Sequence, residues 1–94
     1  MNDSIIPKDF PLGRVVITAT AQVELDSADV AAALRRHARG DWGDLDREDI
    51  KQNELALRYG ERLFSVYQDQ WQTRFYIITE ADRSATTVLL PDDY

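Results

Sequence analysis

Side chains suited to chemistry are few in this chain, and most fall in two short strings. The first, Asp41-Trp42-Gly43-Asp44, sets two carboxylates around a tryptophan and a glycine. Such a loop can recognise a partner through Trp42 as an anchor, or offer oxygen ligands to a divalent cation. The second, Glu80-Ala81-Asp82-Arg83-Ser84, pairs two carboxylates with a guanidinium. Paired carboxylates suit acid–base work, and an arginine suits a phosphate or carboxylate. His37 is the sole histidine, so any imidazole chemistry falls to it. Arg35, Arg36 and Arg39 form the one basic cluster.

Each of these residues also has an ordinary structural role. His37 falls on the apolar side of a predicted helix, where a hydrogen-bonded core histidine is the commoner outcome. Asp44 or Asp46 can cap the helix that follows, Gly40 and Gly43 permit unusual backbone angles, and Trp42 can plug the core. Asp82 can bond its own backbone in a turn. The three arginines suit the negative end of a helix dipole. The Asp41–Asp46 spacing lacks the further ligands and later glutamate of a calcium loop. No phosphate-cradling glycine loop, serine-nucleophile elbow or zinc helix motif occurs. No catalytic residue, cofactor or metal is therefore assigned.

Length and composition bound the rest. Ninety-four residues, 44% apolar and 30% charged, suit one globular domain. The absence of cysteine excludes disulfides and thiolate metal sites. Seventeen acidic residues against eleven basic ones leave a charge of −6, which disfavours nucleic acid and suits a basic protein partner. No apolar run approaches the roughly twenty residues of a membrane span, and Met1 to Pro11 lacks a signal-peptide pattern. The expected location is the cytoplasm.

The candidate residues need elements to hold them. Residues 1–13, punctuated by Pro7, Pro11 and Gly13, read as an irregular arm whose Ile5, Ile6, Phe10 and Leu12 lie on the body or a partner. Arg14–Thr20 reads as a strand, although Ala19 to Leu25 can equally start a helix. Asp26 opens a helix that buries Val30, Ala33, Leu34, His37 and Ala38 and stops at Gly40. A second helix runs from Asp46 to Gly60, with Ile50, Leu57 and Asn53 or Glu54 on one face. Arg62–Gln68, Trp71–Thr79 and Ser84–Leu90 read as strands joined by short turns, hence an antiparallel meander. The fold class is α+β in the order β-α-α-β-β-β, two helices packed on a three- to four-stranded antiparallel sheet. Two helices cover only one face. Tyr76 and Ile78 make the second face partly apolar, so it is covered by the arm or serves a dimer or partner.

Two stretches, His37-Ala-Arg-Gly-Asp-Trp-Gly-Asp-Leu-Asp46 and Tyr76-Ile-Ile-Thr-Glu-Ala-Asp-Arg-Ser-Ala-Thr-Thr-Val-Leu-Leu-Pro-Asp-Asp-Tyr94, resemble the signatures of a family of short bacterial proteins of plasmids and integrated elements. The resemblance spans roughly residues 34–94. It implies a mobile-element setting and no established reaction. More loosely, the element order is similar to toxins of the RelE, ParE and BrnT type, whose ribonuclease members use basic and aromatic sheet residues on RNA. That likeness implies parts for Arg62, Arg74, Tyr76 and Arg83, converging with His37 near Glu80 or Asp82. Two functions follow as expectations: a non-enzymatic interaction protein acting on a host or defence protein, and, as the alternative, a toxin-like ribonuclease.

Overall fold

The computed structural model describes residues 9–94. The protein is α+β. Strand β1 (Arg14–Ile17) leads into three helices, α1 (Ala19–Glu24), α2 (Ser27–Ala38) and α3 (Arg47–Tyr59). Strands β2 (Leu63–Gln68), β3 (Arg74–Thr79) and β4 (Ala85–Leu89) follow, and a 3₁₀ turn spans Pro91–Asp93. No helix among the described residues is long and apolar enough to cross a membrane. Ile5, Ile6 and Pro7 of the expected arm lie outside the described residues.

The sheet order is β1-β4-β3-β2. The meander is as expected: β2 pairs with β3, and β3 with β4, antiparallel. The β1–β4 pair is parallel, so the sheet is mixed rather than antiparallel throughout. The helical crossover carries the chain from the C-terminal end of β1 to the opposite end of the sheet, so β2 runs in the direction of β1. Two hairpin reversals then leave β4 running with β1.

Helix starts follow their caps. Asp26 and Asp46 accept from the amides of Asp29 and Asp49, and Gly60 closes α3 at φ 70°. Residues 19–24 resolve as helix rather than strand, because the Thr18 hydroxyl accepts from the Ala21 amide and caps α1. Three helices therefore stand where two were expected. Thr18 and Thr20 in turn donate to the Asp93 carboxylate at 2.6–2.7 Å, which bolts the 3₁₀ turn to the start of α1. β3 begins at Arg74 rather than Trp71, because Asp69 folds residues 69–73 into a wider turn. Its carboxylate accepts from the amides of Trp71, Thr73 and Asp26. Burial works against that carboxylate's charge, but these amide bonds outweigh it and hold its pKa below the usual range.

Alternation along the strands sends Leu63, Ser65 and Tyr67, Phe75, Ile77 and Thr79, and Thr86 and Val88 to one face, where all are buried. Two apolar clusters sit there. One joins α1 and α2 to Tyr67, Phe75, Ile77, Val88 and Leu90; the other joins Phe10, Trp42, Ala56 and Leu57 to Leu63. The opposite face carries Phe64, Val66, Tyr76, Ile78, Thr87 and Leu89. Residues 9–13 do not cover it. Phe10 packs beside Trp42 and His37, and the Leu12 carbonyl accepts from Thr86, all on the helix-covered side.

α3 runs along the β2 edge and shields it. The Asn53 amide group donates to the Phe64 carbonyl, and its oxygen accepts from the Phe64 amide at 3.2 Å. Asn53 thus stands in for a neighbouring strand, which blunts an edge otherwise open to pairing. This use of Asn53 leaves Ile50 and Leu55 half-exposed, against the expectation of a buried Ile50. Replacing Asn53 with Leu should lower unfolding free energy by about 1–3 kcal/mol, the cost of two orphaned backbone groups. A denaturant midpoint unchanged from wild type contradicts this role.

Candidate functional site

The loop after α2 is built to reach β2. The Trp42 carbonyl accepts from the Val66 amide at 3.2 Å, and the Asp44 amide donates to the Val66 carbonyl at 2.7 Å. Gly43 lies between them at φ 74°, and a Cβ there would overlap the Val66 carbonyl and the Tyr67 ring. Only glycine allows this approach. Asp41 is bidentate to Arg36 (2.8 and 3.2 Å) and accepts from the Gly43 amide. The Arg36 guanidinium beside it holds the Asp41 carboxyl below its usual pKa range. Trp42 is buried and donates to Glu54 at 2.8 Å. Asp46, not Asp44, caps α3. This string therefore fastens a loop to a sheet edge. Among the described residues no three His, Cys, Asp or Glu side chains stand close enough to hold a metal ion.

His37 is fully buried between the two apolar clusters, in edge contact with the rings of Phe10 and Trp42. Its Nδ1 lies 2.5 Å from Ser65 Oγ and its Nε2 2.9 Å from Thr79 Oγ1. Thr79 Oγ1 lies 2.7 Å from Thr86 Oγ1, which donates to the Leu12 carbonyl at 2.7 Å. Proton counting orients the whole chain, because each hydroxyl donates once. Thr86 spends its proton on Leu12, so Thr79 donates to Thr86. The Thr79 oxygen then accepts from Nε2–H of His37, and Nδ1 of the neutral ring accepts from Ser65. Burial, and then the charge of Arg83, push the His37 pKa down to about 4, so the ring is neutral at physiological pH. Ser65 against His37 has the outline of a nucleophile and base. Both are at 0% exposure, so no substrate reaches them.

Arg83 is committed too. Its guanidinium donates to the carbonyls of Glu61 (2.6 Å), Glu80 (3.1 Å), Ala81 (3.2 Å) and Ala56 (3.4 Å). It thereby ties the turn after β3 to the C-terminal end of α3, where its positive charge suits the helix dipole. Burial lowers its pKa. Asp82 accepts from the Ser84 amide at 3.0 Å, as a turn aspartate does. Glu80 reaches Arg62 at 3.9 Å. The expected convergence of Arg62, Arg74, Arg83 and His37 is not assembled. His37 is sealed beneath the helices, and Arg74 belongs to the opposite face of the sheet.

That outer face holds the open geometry. Two adjoining hollows of about 360 Å³ each lie on it, sharing Arg62, Ile78 and Tyr94. Phe64, Tyr76, Leu45, Asp49, Gln52 and Asn53 complete the first. Glu80, Thr87, Leu89 and Asp93 complete the second. The rings of Phe64 and Tyr76 stand 4.8 Å apart, and Tyr94 lies 6.5 Å from Phe64 and 6.1 Å from Tyr76. Of His37, Asp41, Trp42, Asp44, Glu80, Asp82 and Arg83, only Glu80 lines either hollow, joined there by Arg62 and Tyr76 of the ribonuclease expectation. Phe64, Tyr94 and Asp49 were missed. The two-residue period that sets Phe64 beside Tyr76 was the available signal for the first, while Asp49 and Tyr94 arrive from distant elements.

No protein-family model matches the chain, nor do any of the curated proteins or solved structures compared with it.

Because the folded ring binds a proton near pH 4 and the unfolded ring near 6.5, the stability held by neutral His37 is complete above pH 6.5. It is lost as pH falls through that interval, to a total of about 3 kcal/mol. The stability advantage of wild type over His37→Gln at pH 7 should therefore shrink steadily toward pH 4. Parallel urea denaturation curves across that range, with a constant gap, contradict a neutral buried ring.

Proposed function

We propose that this chain is a non-enzymatic protein-interaction module that works through the outer face of its sheet. One observation carries the reading: half-buried Phe64 and Tyr76, over buried Ile78 and Leu89, line two adjoining hollows on the face the helices leave free. A contiguous apolar patch with polar rims is the usual form of a partner site. The residues with nucleophilic or acid–base capacity point the same way, since Ser65 and His37 are sealed and Arg83 is spent on carbonyls. The resemblance of residues 34–94 to proteins of plasmids and integrated elements suggests where the partner lies. In that setting the module acts in the cytoplasm on a host or defence protein.

The alternative, a toxin-like ribonuclease, draws on Arg74 and Tyr76 sharing the outer face. Of the carboxylates lining the hollows there, Glu80 is already engaged with Arg62 and Asp93 with Thr18 and Thr20, and the acidic balance disfavours RNA. Purified protein should leave RNA intact, and cleavage abolished by Arg74→Ala would replace the first reading with the second.

The direct test is affinity capture with wild type and with the Phe64→Ser/Tyr76→Ser double variant, each confirmed folded by circular dichroism. Wild type should retain a stable protein partner that the variant loses. Equal retention by both moves binding off this face, and retention of no partner by wild type removes the interaction reading.

A further inference from the structure

We infer that the aromatic corner of the outer face takes a cationic side chain, that of an arginine in a basic segment of a protein partner. This inference rests on the outer face being the working surface and adds the chemistry it selects.

Three features of the corner support it. Phe64, Tyr76 and Tyr94 are not stacked. Their planes meet at 53°, 57° and 88°, so the rings form walls rather than a pile. All three line the first hollow, and the face of an aromatic ring attracts a cation through its quadrupole. The corner already hosts a guanidinium: Arg62 lies over the Tyr94 ring at 5.9 Å from its centroid. That contact shows a ring of this corner accepting the very group proposed, from within the chain. The charges lining the two hollows complete the case. Asp49, Glu80 and Asp93 stand against Arg62 alone, a surplus of two negative charges. Glu80 lies against Arg62, Asp93 is held by Thr18 and Thr20, and Asp49 makes no ion pair among the described residues. Asp49 is thus a carboxylate in the first turn of α3, beside an aromatic corner, with no cation of its own.

The same charges decide between occupants. A second copy of this chain, itself at −6, would set one acidic face against another. An anionic ligand would meet three carboxylates. An arginine flanked by apolar residues matches the corner, the carboxylate and the aliphatic floor of Ile78 and Leu89 together. Each hollow lies in the lower part of the roughly 300–1,000 Å³ range of ligand pockets, room for a side chain or two rather than a large cofactor.

The probes are two acetylated, amidated peptides, Ala-Leu-Arg-Leu-Ala and the same sequence with citrulline, a neutral isostere, in place of arginine. Each is titrated to the millimolar range into ¹⁵N,¹³C-labelled protein and read by NMR. The arginine peptide should shift the Phe64, Tyr76 and Tyr94 resonances and bind at least about fivefold more tightly than the citrulline peptide. Added salt and Asp49→Asn should each narrow that preference, and Tyr76→Leu, which keeps the apolar bulk, should remove most of it. Equal binding of both peptides at this corner overturns the choice of a cation and leaves the interaction face standing. Absence of any shift there overturns the inference, and if the Phe64/Tyr76 variant also retains its partner, the interaction face falls with it. Line broadening of the corner resonances with protein concentration alone, and no peptide effect, assigns the face to a second copy instead.

Discussion

The structure depends on one buried polar seam, the string Ser65–His37–Thr79–Thr86–Leu12. It crosses from α2 through all three strands of the meander and ends on the chain entering β1. Its four side chains are fully buried, its Leu12 end is half-buried, and each proton has one place to go. Low polarity strengthens such a chain when complete and makes any missing member costly. Two apolar clusters meet along this seam, so the position of α2 over the sheet is set by hydrogen-bond direction as well as by shape. Unlike interchangeable apolar contacts, the seam tolerates only one register of β2, β3 and β4.

Around that seam the remaining polar residues secure the margins. Asn53 and the Trp42–Asp44 segment occupy the β2 edge, Arg83 joins the α3 terminus to the β3–β4 turn, and Asp93 clasps α1. Most of the residues that look chemically capable in the sequence are thus consumed in holding one face of the sheet closed. The consequence for function is a division between faces. The helix-covered side carries the reactive residue types and denies them solvent. The outer side carries hollows lined by aromatic rings and carboxylates.

Much of this was legible from the residues alone. Caps and stops at Asp26, Asp46 and Gly60, and the spacing of Val30, Ala33 and His37, located α2 and α3. The run of three short-linked strands gave the meander and the α+β class. Three things were not legible, each for a physical reason. The parallel β1–β4 pair follows from a crossover direction that local periodicity does not encode. The short helix at Ala19–Glu24 depends on Thr18, whose capping role competes with the β preference of the preceding valines. The candidate side chains do not gather, because Asp41 and Asp82 are taken by neighbours in their own turns and Arg83 by carbonyls of the distant α3 terminus. Side-chain type reports what a residue can do, and only the fold decides whether its capacity is already spent.

The most direct measurement is the ¹⁵N chemical shift of both His37 ring nitrogens as a function of pH. The seam requires a protonated, pyrrole-like Nε2 and a bare, pyridine-like Nδ1, with no change from pH 8 down to about pH 5. A proton on Nδ1 in the neutral ring, or an ordinary titration centred near pH 6.5, would mean that the ring is neither oriented nor sealed as described.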